Sequence, residues 1–143
     1  MDIQRAIEFL RSQHRAILAT RRSDGSPQLS PIVAAVDDDG AILISTREPA
    51  IKARNLARDP RASLCVINDE FYGQWIQVDG TAEIIHLPDA LELLVDYYRR
   101  ISGEHPDWAE YREAMVEQGK SLLRVTPDRW GPVATGGFPA RLT

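Results

Sequence analysis

Five cations crowd one short window. Arg47, Lys52, Arg54, Arg58 and Arg61 face only Glu48 and Asp59, a local charge of +3 in a chain that sums to −4. The window, Thr46 to Arg61, follows the apolar run Ala41 to Ser45 and reads as a short helix. Pro49 suits its first helical position, where a missing N–H costs nothing. Ala50, Ala53 and Leu56 or Ala57 form an apolar stripe, and Pro60 ends the helix. A cationic helix start just after a strand offers free backbone N–H groups and the positive end of the dipole to an anion. Lys52 and Asn55, three residues apart on one face, can both reach one phosphate or carboxylate. Arg54 and Arg58 share a different face, so all four cannot meet a single group. A solvated basic helix face is the alternative reading of the same residues.

Other chemistry is sparse. His14, His86 and His105 are scattered, with no His or Cys partner at metal-ligand spacing, so no metal is expected. The chain lacks Gly-x-Ser-x-Gly, P-loop and Gly-x-Gly-x-x-Gly patterns, which removes support for serine hydrolase, P-loop NTPase and dinucleotide-binding dehydrogenase classes. The acidic residues show no pairing suited to acid–base work. Chemistry therefore falls to a bound cofactor.

The bulk properties bound the setting. The 143 residues suit one domain, 1–143, with 43% apolar and 27% charged residues, as in an ordinary globular protein. A pI near 5.4 argues against nucleic-acid or anionic-membrane partners. No apolar run approaches the roughly 20 residues that span a bilayer. The N-terminus reads as an amphipathic helix (Ile3, Ile7, Leu10) without signal-peptide features, and the single Cys65 cannot make an internal disulfide. A cytoplasmic protein is the expectation.

The elements that must position the cations follow in order. After the first helix, Arg15 to Arg21 is a strand and Ser23-Asp24-Gly25-Ser26-Pro27 a turn. Gln28 to Val36 and Ala41 to Ser45 are strands joined by Asp37-Asp38-Asp39-Gly40. Ala62 to Asn68 and Trp75 to Ile85 are two more. Pro88 to Ile101 is an amphipathic helix on Leu91, Leu94, Val95 and Tyr98, and a short helix from Pro106 ends near Gly119. Lys120 to Val125 is a last strand and Thr126 to Gly131 a turn. The tail, 134–143, carries Gly136-Gly137 and Pro139 and is expected to be poorly ordered or ligand-dependent. Several strands are apolar on both sides. That fits a closed or nearly closed barrel with a helix against it, or a second face buried by a partner subunit. Pro31 inside a strand points to an edge, bulge or kink.

The ordered series of strand, Gly/Pro turn, strand, hairpin, Ile-Ser-Thr-Arg-Glu-Pro-Ala-Ile-Lys-Ala-Arg-Asn-Leu and a strand ending in Asp79-Gly80-x-x-Glu83 resembles the pyridoxamine 5′-phosphate oxidase-like, flavin-binding split-barrel superfamily. In the oxidases proper the helix start reads Thr-x-x-x-Ser-Arg-Lys and grips the flavin phosphate. This chain keeps Thr46 and Lys52 but has Ala50 and Ile51 at the Ser and Arg positions. Pro27-Gln28-Leu29-Ser30, Lys52-Ala53-Arg54-Asn55-Leu56, Asp59-Pro60-Arg61-Ala62-Ser63, Gly103-Glu104-His105-Pro106-Asp107-Trp108 and Pro127-Asp128-Arg129 are similar to the actinobacterial branch that uses the deazaflavin coenzyme F420.

The resemblance implies a mainly β fold with helices (α+β), a dimeric, FMN-binding-like split β-barrel. It implies an F420-dependent oxidoreductase that passes a hydride from the reduced deazaflavin to an unsaturated small-molecule substrate, with FMN as the alternative cofactor. Arg47, Lys52, Arg54 and Arg58 supply positive charge where the family binds phosphate, with Lys52 and Asn55 expected at the phosphate itself. Ser30, Pro31, Ile32, Ser45 and Thr46 match positions lining the ring and ribityl region. Trp75, Ile76 and Gln77 match the strand contributed across a homodimer interface that holds the cofactor. His105, Trp108 and Arg129 are substrate-side candidates, although Trp108 fits equally as the core anchor of its helix. An FMN enzyme of the same fold, a non-catalytic carrier and a plain interaction module remain the competing functions.

Overall fold

Alternation of apolar and polar positions along six strands builds a closed barrel in the computed structural model, which describes residues 3–70 and 72–135. The strands are β1 (Arg15–Arg21), β2 (Pro27–Val36), β3 (Ile42–Arg47), β4 (Arg61–Ile67), β5 (Gln74–Ile85) and β6 (Lys120–Thr135). They pair antiparallel in the order β1-β2-β3-β6-β5-β4, and β4 closes back on β1. Inward positions of every strand meet in one apolar core: Leu18, Ala34, Ile42, Ile44, Leu64, Val66, Ile76, Val78, Leu123 and Val125 are each no more than 1% exposed. This is the mainly β split-barrel architecture expected from the sequence.

Among the described residues four helices dress the barrel: α1 (Ile3–Ser12), α2 (Ile51–Arg58), α3 (Ala90–Ser102) and α4 (Trp108–Glu117). The outward residues Ala35, Leu43 and Leu122 join Leu94, Val95, Tyr111 and Met115 of α3 and α4 in a second core. That explains why β2, β3 and β6 are apolar on both faces. α1 sends Ala6, Ile7 and Leu10 into the barrel core, and α2 adds Leu56. The outward face of β1, β4, β5 and the first half of β2 is different. It presents Ile17, Leu29, Pro31, Val33, Cys65, Ile67 and Trp75 in register, with Leu29 61% and Val33 41% exposed.

The largest departures from the sequence expectation are at β3, α2 and β6. β3 runs on through Thr46 and Arg47, because its ladder with β6 continues to Arg47↔Lys120. α2 therefore begins at Ile51, and Pro49 lies in a turn closed by Ala50 N–H to the Arg47 carbonyl at 3.0 Å. β6 likewise continues past Val125 through the expected Thr126–Gly131 turn. The long partner β5 pairs with it throughout, and register shifts at Ile76/Val78 and Asp79/Gly80 absorb the irregularity. Gly80 is needed there, since a Cβ would lie 2.4 Å from the Thr126 carbonyl oxygen. Pro31 behaves as expected of an edge: it pairs with Ile17 of β1, while β2 meets β3 only over Ala34 to Val36. Gly136-Gly137, Pro139 and the rest of the expected mobile tail beyond Thr135 lie outside the described residues.

Candidate functional site

The split opens where the β2–β3 ladder stops. Pairing ends at Ala34↔Ile44, leaving Ser30, Pro31 and Ile32 on one strand and Ser45, Thr46 and Arg47 on the other without ladder partners across the gap. Tyr97 of α3 marks its closed end, donating its hydroxyl to the Val33 carbonyl at 2.8 Å. Burial raises the Tyr97 phenol above its usual range, partly offset by the Ser45 backbone N–H. Alternation turns Ser30 inward with Leu18, and Thr46 inward with Ile42 and Ile44. Their oxygens, Ser30 Oγ and Thr46 Oγ1, are buried without a hydrogen-bond partner among the described residues, as is Trp130 Nε1. A buried hydroxyl left unbonded costs on the order of 1–3 kcal/mol. Two of them on facing strands of an open split suit a polar ligand.

Cations gather at the same end of the barrel. Arg47 stands opposite Lys120 in the β3–β6 ladder, and Lys52 lies in the first turn of α2. Burial pushes the Lys120 amine below its usual range, and the charges of Arg47 and Lys52 push it further. These three side chains make no ion pair among the described residues. No side chain caps α2, because Ala50 stands at the cap position, so first-turn N–H groups face the same region. Lys120 was missed from sequence, as nothing local predicts its register with Arg47.

The nearby carboxylate is held elsewhere. His86 Nδ1–H donates to Glu48 Oε1 at 2.6 Å, and the Ser121 hydroxyl donates to the same oxygen. These bonds, that of His86 first, hold the Glu48 carboxyl below the usual carboxylate range despite some burial.

Lys52 and Asn55, expected together at a phosphate, have different surroundings on α2. Lys52 is half-buried at the surface, whereas Asn55 is 5% exposed. Asn55 Nδ2 donates to Thr20 Oγ1 at 3.1 Å, and Thr20 donates to Gln28 Oε1 at 3.3 Å. Arg58 donates to Asn55 Oδ1 at 3.0 Å and to the Arg21 carbonyl at 2.9 Å. Asn55 and Arg58 thus fasten α2 to β1 and β2. The helix turns 100° per residue, so a spacing of three leaves enough offset for one side chain to go inward. Arg54 is exposed on the outer face of α2.

The remaining expected positions separate. Ile76 is 0% exposed in the barrel core. Trp75 and Gln77 point outward, Trp75 on the apolar sheet face and Gln77 in a groove of about 540 Å³ with Arg21, Arg61 and Arg129. There Arg129 bonds Asp79 at 2.9 Å. Burial works to raise the Asp79 carboxyl, but Ser63, Gln77 and Arg129 outweigh it and hold it low. His105 and Trp108 belong to an aromatic cluster: both rings pack on Tyr98 and Tyr111, with centroids 5.1–5.8 Å apart, and weld α3 to α4. Among the described residues no cluster of His, Cys, Asp or Glu could hold a metal ion, and no helix is long and apolar enough to cross a membrane.

Comparison with known proteins adds the following. A family model described as pyridoxamine 5′-phosphate oxidase matches residues 4–134. The conserved hypothetical protein Rv2991 from Mycobacterium tuberculosis superposes with a TM-score of 0.74 at 27% identity, over 96% of this chain and 93% of that one. An F420 reductase gives 0.67 at 22% identity, over 87% and 94%. HutZ, the heme storage protein from Vibrio cholerae, gives 0.70 at 21%, over 95% and 98%. At such identities the last two likenesses speak to the fold alone.

Proposed function

Because this chain belongs to the pyridoxamine 5′-phosphate oxidase family, we propose that it is an oxidoreductase that binds coenzyme F420 in the split and reduces an unsaturated organic substrate. The observation that carries this reading is the Arg47, Lys52 and Lys120 cluster where β3 gives way to α2, which makes no ion pair among the described residues, together with the unbonded hydroxyls of Ser30 and Thr46 on the strands that border the split. Three converging cations match a phosphodiester followed by a glutamate tail. The two hydroxyls match polar atoms of a ring or its ribityl chain.

When bound, reduced F420 supplies the hydride. The chain's own residues would do the rest. Lys52, Arg47 and Lys120 anchor the anionic handle, and Arg54, exposed further along α2, meets the tail. Ser30 and Thr46 fix the ring's rotation by donating hydrogen bonds. Holding donor and acceptor carbons within about 3–3.5 Å removes the entropy of encounter. Solvent supplies the proton that completes the reduced product. A second copy of the chain would cover Leu29, Val33, Ile67 and Trp75, exclude water and bring Trp75 and Gln77 toward its partner's cofactor.

FMN is the second reading, favoured by the same cluster, since a terminal phosphate dianion suits three cations as well as a diester does. Titration with F420, FMN and hemin side by side separates the readings. The expected result is F420 retention at micromolar concentration. Lys52→Ala should weaken it by about 10–100-fold, the loss of one charge-assisted bond of about 1.5–3 kcal/mol. Failure of the protein to retain either F420 or FMN overturns the proposal. Sedimentation as a monomer at working concentration overturns its shared-site arrangement.

A further inference from the structure

The Glu48 carboxylate presents a problem to any anion that would use the cation cluster. Glu48 follows Arg47 directly, and its partner Ser121 follows Lys120. The carboxylate is therefore one residue removed from two of the three cations, yet it pairs with none of them. Both bonds that occupy it fall on Oε1, from His86 at 2.6 Å and from Ser121. The Glu48 N–H adds a third tie, to the Gly119 carbonyl at 3.0 Å. Ser121 is 0% exposed, so its hydroxyl is a fixed post. His86 comes from the segment between β5 and α3, remote in sequence from both.

We propose that His86 and Ser121 are positioning residues that tether the Glu48 carboxylate away from Arg47, Lys52 and Lys120, keeping the cluster free for an anionic ligand. The inference rests on the cluster being the anion site named above. Released, the Glu48 carboxylate is free to turn toward Arg47, its neighbour in sequence, and compete with the ligand. The tether converts a self-neutralising cluster into a receptive one at little cost, because Oε1 takes two hydrogen bonds and the half-exposed side chain leaves Oε2 open to water.

The test uses His86→Ala, the double variant His86→Ala/Ser121→Ala, and each combined with Glu48→Gln. In the ligand-free protein, Lys120 is followed by NMR titration of its side-chain carbon next to the amine. Releasing Glu48 should raise the Lys120 titration midpoint, and Glu48→Gln in the same background should lower it again. With F420 as probe, release should weaken binding by roughly tenfold, the loss of about 1.4 kcal/mol, and Glu48→Gln should restore it. A merely structural role for His86 would not be rescued by removing a charge at Glu48. An unmoved Lys120 midpoint in both His86→Ala, whose ring is exposed, and the folded His86→Ala/Ser121→Ala protein overturns the tether, as does F420 loss without rescue. A Lys120 midpoint that moves as expected in a protein that binds neither F420 nor FMN supports the tether and overturns the function proposed above.

Discussion

Asn55→Ala discriminates between a ligand-binding and an architectural asparagine. In the structure its amide accepts from Arg58 at 3.0 Å and donates to Thr20 at 3.1 Å. Removing the neutral bond costs about 1 kcal/mol, and the charge-assisted one about 1.5 kcal/mol at most, since Arg58 is exposed and screened. Alanine's better helix propensity returns about 0.5 kcal/mol. The net expectation is a loss of about 2 kcal/mol, or roughly 6–8 °C in Tm for a domain of this size. Urea melts should show a lower midpoint with an unchanged slope. Thr20→Val should cost a similar amount. The double variant should lose about 1 kcal/mol less than the sum, because the two share one bond. F420 affinity of the folded Asn55→Ala protein should stay within about threefold of wild type, a shift under about 0.7 kcal/mol. An unchanged midpoint together with a tenfold or greater affinity loss would refute this reasoning and put Asn55 on the anion.

Other perturbations test the fold around the site. Gly80→Ala places a Cβ 2.4 Å from the Thr126 carbonyl oxygen and 2.8 Å from Val125 Cγ1. It should destabilise by about 1–3 kcal/mol through overpacking, measured by thermal melting. Tyr111 is pushed up to about 12 by burial, with Tyr97 and Tyr98 adding to the effect. Because the folded value lies above the unfolded one, its contribution is fully present below about pH 10 and fades as pH rises toward 12. Tyr111→Phe should flatten that alkaline decline in urea melts at pH 9 and 11. It should also lose about 1 kcal/mol near neutrality with the bond to the Leu94 carbonyl.

Much of this protein is written locally. Alternation alone marks β1 and β5, whose bounds in the structure are those expected or differ by one residue. The turn at Asp37–Gly40 and the amphipathic face of α3 are equally legible, because hydrophobic period and turn chemistry act over a few neighbouring residues. The +3 window was visible for the same reason. What the cations do was not. Lys120 joins Arg47 and Lys52 only through the β3–β6 register, and Ser121 reaches Glu48 across 73 positions of sequence. Asn55 turned inward because Thr20 and Gln28 waited at the barrel's end with unmet hydrogen-bonding capacity, a demand no helical wheel contains. Even the helix start moved, since a strand ladder with a distant partner outcompeted the local preference of Pro49. Short-range periodicity decided which segments are strands and helices; long-range register, set by barrel closure, decided which charges meet and which are held apart.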